Sequence, residues 1–236
     1  MASACTALAP QAIVVGDVTS AGVTRQSPTA EAPVYYAPVI AGYQERGAAK
    51  GGTKPPAEDE VVSAVVGALA REHYLMMKPG TTPDIMLVIW WGMINPQIDE
   101  MEHNVVDEVA PTRVFVNTRE MMALIGAFKG KGLSRSDWKD LKDTAQDDRY
   151  FILVAAYDYA AAERKERKLL WTARMSTEST GRTPDEVFPL LAASGAAAFG
   201  RDTAPTLQDT SDANKIPKVE LAPFEVIEVL PGEKKP

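Results

Sequence analysis

The sequence predicts an α+β domain, a two-layer sandwich whose mixed β-sheet carries helices mainly on one face. Three observations point there. Segments at Asp84–Gly92, Tyr150–Tyr159 and Lys168–Thr177 are rich in β-branched, aromatic and other apolar residues over strand lengths. The segment from Glu58 to about Met77 places Val61, Val62, Val65, Val66 and Leu69 at helical spacing. The order of elements, β-α-β-α-α-β-β-α-(β), does not alternate strictly, so one mixed sheet with a helical layer is the economical arrangement.

Taken along the chain, residues 1–33 read as a flexible N-terminal tether, because Thr6 to Pro33 is rich in Ala, Thr, Ser, Gly and Pro. The globular domain is expected over 34–200. Val34–Tyr43 is β-prone, and Pro38, which has no N–H to donate, assigns it to a sheet edge. Gly47 to Pro56 is a loop. Pro55 and Pro56 precede the first helix, and Glu58, Asp59 and Glu60 load its first turn with the charge that the helix dipole favours. Asp84–Gly92, a continuous apolar run, is expected to be a central strand buried on both faces. Asn95 to Thr112 is acidic and aperiodic, which marks a long loop. Asn117-Thr-Arg-Glu120 has capping-box spacing and opens a helix through Phe128, and Ser134 to Asp137 opens another to about Gln146. Tyr150–Tyr159 and Lys168–Thr177 form a hairpin whose wide connection carries the charged run Glu163–Arg167. Thr183-Pro-Asp-Glu186 is a further capping box, with a helix to Phe199. Residues 201–236 form a C-terminal extension in which Val219–Val229 alternates as an edge strand would.

Composition narrows the function. The 236 residues are 45% hydrophobic and 24% charged, enough for a folded core. A net charge of −7 and a pI near 5.0 supply no basic field for nucleic acid. No apolar run reaches the length of a membrane-spanning helix. One cysteine, Cys5, excludes an intrachain disulfide, and two histidines, His73 and His103, leave little for a zinc site.

Nothing in the sequence assembles a catalytic set or calls for a cofactor. The glycine-rich stretch Gly47–Lys54 lacks the spacing of a phosphate loop, and the three carboxylates after it would repel a phosphate. There is no nucleophile elbow. His73 falls in the last turn of the first helix, where an imidazole favourably faces the dipole. The metal-site candidates are Asp99, Glu102, His103 and Asp107, oxygen and nitrogen donors in the acidic loop. A small-ligand enzyme would combine that loop with the strand tryptophans Trp90, Trp91 and Trp171, or with Asp158. Alternation puts Asp158 opposite Tyr157 and Tyr159, on the solvated face or against a buried partner. Core packing is the other use of the tryptophans.

Ala2-Ser3-Ala4-Cys5 is similar to the end of a bacterial lipoprotein signal, in which small residues precede the cysteine that receives lipid. Pro83-Asp-Ile-Met-Leu-Val-Ile, then Tyr150-Phe-Ile-Leu-Val-Ala-Ala-Tyr-Asp158, then Lys168-Leu-Leu-Trp-Thr-Ala-Arg174 resemble bacterial envelope lipoproteins of the domain-of-unknown-function 4136 type. The resemblance spans residues 34–200, with Asn95–Gln146 departing as an insertion, and supplies no catalytic residue. It implies an envelope location and a fold. The tether-like start at Cys5 and the absence of a catalytic set lead to a non-enzymatic envelope domain, a tethered binding or structural module that meets an envelope protein or surface component through a sheet edge or long loops; without lipid on Cys5 the expected location is cytoplasmic. The oligomeric state is not legible.

Overall fold

The computed structural model describes residues 11–47, 54–96, 118–129 and 134–209. Cys5, the carboxylates and histidine of the 99–107 loop and the strand expected at 219–229 lie outside them.

The elements run β1 (Gln11–Val18), α1 (Ser20–Val23), β2 (Val34–Gly47), α2 (Glu58–Arg71), β3 (Tyr74–Met76), β4 (Ile85–Asn95) and α3 (Thr118–Leu124). They continue with α4 (Arg135–Thr144), β5 (Arg149–Asp158), α5 (Tyr159–Glu163), β6 (Leu169–Glu178), α6 (Pro184–Ser194) and β7 (Thr206–Asp209). The strands form one seven-stranded sheet in the order β3-β2-β4-β5-β6-β1-β7. β2 runs parallel to β3 and β4, and the other pairs are antiparallel, so the sheet is mixed and the fold is α+β.

The pleat sends alternate residues to opposite faces. On the inner face Leu87, Ile89 and Trp91 of β4 join Ile152 and Val154 of β5 and Ala173 and Met175 of β6 beneath α2 and α6. The valine face of α2 and Val187, Phe188 and Leu191 of α6 complete this core. A smaller cluster lies on the outer face. There Ile13, Val15, Ile94 and Phe151 are covered by Met121, Met122 and Ile125 of α3 and its following turn and by Ala145 after α4.

The domain boundaries differ from the expected ones. Residues 11–33 belong to the fold: β1 pairs along its length with β6, and Ile13, Val14 and Val15 are buried. A Cβ at Gly16 would run into the Arg201 carbonyl, so the chain at 198–201 packs directly on the β1 backbone. The extension also contributes, since β7 pairs with Gln11–Val14. The short apolar run of β1 is surrounded by tether-like composition, and only its burial against β6 distinguishes it.

Two local expectations are corrected and an open one is decided. The first helix stops at Arg71. Glu72 caps it, and His73 takes φ 62°, turning the chain into β3 instead of extending the helix. The His73 carbonyl then accepts from Val34 N–H at 3.1 Å. β4 is central but not buried on both faces: Ile85, Leu87 and Ile89 are buried, whereas Met86, Val88 and Trp90 are half-buried. Of the two alternatives left open for Asp158, the partnered one holds: it is 7% exposed and salt-bridged to Arg25.

Candidate functional site

The motif residues Asp84, Asp158 and Lys168 converge at one corner of the sheet. Asp84 ties β4 to β2: its N–H donates to the Tyr35 carbonyl at 2.8 Å, and its Oδ2 accepts from Tyr35 N–H at 2.9 Å. Asp158 caps α5 by accepting from Ala161 N–H at 2.9 Å. Arg25 Nη2 donates to Asp158 Oδ2 at 2.6 Å, and Lys168 Nζ donates to the same oxygen at 3.4 Å. The Ala161 amide holds the Asp158 carboxyl below its usual range; burial opposes this, and the two cations reinforce it. A carboxylate so stabilised is a poor proton acceptor near neutral pH, so Asp158 is built as a structural anion.

A depression beside this corner, edged by Arg25, Val34, Tyr74, Ile85 and Trp171, has a volume of about 40 Å³. That is room for a few waters rather than a metabolite. Trp171 is committed to packing, with ring centroids 5.4 Å from Tyr74 and 5.9 Å from Phe199, and Trp91 is buried in the inner core. Trp90 pairs with Leu153, five residues along β5 from Asp158, a separation of roughly 17 Å at strand rise. Asp158 therefore does not converge with Trp90. Among the described residues no group of three or more metal-ligating side chains comes together.

A second charge cluster centres on Asp17, on the outer side of β1. Arg174 Nη2 donates to Asp17 Oδ2 and its Nη1 to the Ala123 carbonyl. Lys129 Nζ meets Asp17 Oδ1 at 2.9 Å and also reaches Asp202, the Gly16 carbonyl and, at 3.1 Å, the Thr203 carbonyl. Burial alone would lower the Lys129 pKa, but the hydrogen bonds it donates to Asp202 and Asp17 outweigh it and hold the ammonium above its usual value. Towards the other end of β6, Arg149 is 3% exposed and donates to Ser176 Oγ at 3.1 Å. Burial draws its pKa down to about 10, against Asp147 and Glu178, so it stays charged at neutral pH.

Between the two clusters the outer face of the sheet is apolar. Register aligns Val39, Val88, Ala155 and Thr172 in one row across four strands, and Ala37, Met86 and Tyr157 in the next. Within these four strands neither row holds a charged side chain, and the first row meets Asp17 of β1 directly beside Thr172. Val39 is 41% exposed, and Met86, Val88 and Trp90 are half-buried. The edge next to this face is poor pairing material. β3 covers only Val34–Tyr36, and beyond it Pro38 lacks a donor and a bulge between Ile40 and Gly42 (φ 81°) breaks the ladder.

Sequence reasoning did not single out Arg25, Asp17, Lys129 or the apolar face. The available signal was weak: an aspartate within Ile13–Val18 and an arginine within Leu169–Met175, each an ion inside a strand that needs a partner.

No family model matches the chain, and no curated protein matches it. Among solved structures it is similar to the PelC dodecamer from Paraburkholderia phytofirmans, at 10% identity over 81% of this chain and 99% of that one, with a TM-score of 0.38. It is also similar to a PDZ domain protein from Parabacteroides distasonis, at 9% identity over 85% of this chain and 38% of that one, with a TM-score of 0.40. At these scores neither likeness bears on function. No helix among the described residues is long and apolar enough to cross a membrane.

Proposed function

We propose that the chain is a non-enzymatic cell-envelope domain, lipid-anchored at Cys5, that docks a partner protein on the outer face of its sheet. The observation that carries the docking reading is the uncharged row Val39–Val88–Ala155–Thr172, in which Val39 is exposed and Val88 and Thr172 are half-buried around a buried Ala155, while the opposite face is closed by α2 and α6. An exposed apolar surface with charged groups only at its margins is the anatomy of a protein contact. The tether reading is supported by the small residues before Cys5 and by the lipoprotein-like motifs. On this reading only residues 6–10 separate the anchor from Gln11, so the start of β1 stays within roughly 20 Å of the bilayer. The sheet end carrying Gln11, Arg149 and Glu178 then lies nearest the membrane.

Two measurements test this. Fractionation of cells carrying the native gene, with mass analysis of the mature N-terminus, is expected to find lipid on Cys5; an unmodified Cys5 in the soluble fraction overturns the anchor. A photoreactive residue at Val39 is expected to capture a protein in cells that the same residue at Glu60, on α2, does not. Equal capture from both positions, or none, removes the docking face.

A further inference from the structure

We infer that the exposed aromatic pair Phe128–Trp138 is the docking site of this chain's own C-terminal segment, residues 219–229. Among the described residues four large apolar side chains are exposed, Val23, Val39, Phe128 and Trp138. Phe128 and Trp138 stand against each other, 55% and 40% exposed, with ring centroids 6.4 Å apart. Phe128 belongs to the turn Ala127–Lys129 after α3, and Trp138 to α4. Met121, Ile125 and Ala145 root these elements in the outer cluster, so the pair is the uncovered side of a fixed unit. Two aromatic rings left side by side in water are apolar area that a cover would remove from it.

The place of the pair decides what reaches it. A Cβ at Gly126 would stand 2.7 Å from Val15 and 3.0 Å from Pro205, so the turn carrying Phe128 lies against the residue that leads into β7. Lys129 Nζ, one residue on, reaches the Thr203 carbonyl at 3.1 Å. From Pro205 the chain runs through β7 to Asp209, roughly 13 Å at strand rise, and residues 210–236 follow. Residues 210–218 span up to roughly 30 Å, more than the way back to the pair. That path passes β7, whose outer edge has no strand partner among the described residues. Joined by so short a connection, the segment is held near the site at an effective concentration of about millimolar.

The chemistry of the segment fits the site. Val219, Leu221, Phe224, Val226 and Val229 are apolar, and Glu220, Glu225 and Glu228 stand among them. On α4, Arg135, Trp138, Lys139 and Lys142 share one side of the helix, at i, i+3, i+4 and i+7, so cations flank the exposed ring. Arg135, Lys139 and Lys142 make no ion pair among the described residues. An apolar segment interleaved with glutamates is complementary to an aromatic pair rimmed by cations. The C-terminal extension is thus a strap that ties the β7 edge to the outer helices.

A photoreactive residue in place of Phe128 in the full chain, with ordinary and isotope-labelled protein mixed in equal parts, tests this. Mass spectrometry of the crosslinked peptides is expected to find residues 219–229 joined to position 128 within one chain. Crosslinks between chains of different label would make a second copy the occupant and overturn the inference. Crosslinks to any other segment, or none, overturn it as well. Phe224→Ser combined with Val226→Ser should lower the within-chain yield roughly fivefold or more. An unchanged yield would mean that proximity alone makes the crosslink, and the segment would not be docked. Phe128 is exposed, so its replacement spares the core, and the same probe at Trp138 repeats the measurement from α4. Neither Cys5 nor Val39 takes part, so the result is separate from the outcomes at those positions.

Discussion

The two faces of the sheet are closed by different physics. The inner face buries Leu87, Ile89, Ile152 and Val154 under α2 and α6, and its few polar atoms include orphans such as the Tyr36 hydroxyl. The outer face is closed over one half only, by Met121, Met122 and Ile125 together with the ion pairs of Asp17, Lys129 and Arg174, and over the other half Val39 is exposed and Met86 and Val88 are half-buried. Apolar packing is stable but indifferent to a partner. The difference separates the part of the molecule that holds the fold from the part available for binding.

Substitutions across the faces sharpen that contrast. Leu87→Ala removes a fully buried side chain from the inner core and should cost about 3 kcal/mol or more in urea unfolding. A loss below about 1 kcal/mol would mean the inner face is not the stability core.

Asp158→Ala removes the α5 cap and two ion pairs whose cations are part-exposed, and should cost about 1–2 kcal/mol. The sign of the pH effect follows from the depressed folded pKa. Asp158 adds stability above its unfolded pKa near 3.8, and the contribution is lost as pH falls through the lower folded value. Acid unfolding curves of Asp158→Asn should therefore be flatter than those of the unaltered protein below about pH 4.

Tyr36→Phe deletes a buried hydroxyl that has no hydrogen-bond partner and should raise stability by about 1 kcal/mol. Destabilisation instead would show that the hydroxyl is satisfied by a buried water. Val39→Ser, on this row, should change stability by less than about 0.5 kcal/mol while reducing capture from a photoreactive residue at the neighbouring Val88. A large stability loss would mean that the row is core and not a docking surface.

Much of the framework was legible from local signals. α2 was announced by its valines and first-turn acids, α6 by Thr183 and Glu186, whose carboxylate accepts from Thr183 N–H at 3.5 Å, and the β5–β6 hairpin by its aromatic and β-branched flanks. The apolar character of Asp84–Gly92 announced β4, but not that Met86, Val88 and Trp90 would be left half-open, because the apolar run is the same whether or not a helix covers the second face. The motif residues Asp84, Asp158 and Lys168 were visible as a pattern, while their meeting through Arg25 was not.

Periodicity, caps and composition thus settled which segments become helix or strand and which side of each is apolar, since those preferences act over a few residues. Only the closed sheet decided that Gln11–Val18 is a strand, because its value lies in pairing with β6 more than 150 positions away. The same closure brought Asp17 to Arg174 and left Val39 beside Val88 in the open. Such contacts form where loop closure has already been offset by core burial, so no stretch of sequence carries their signal on its own.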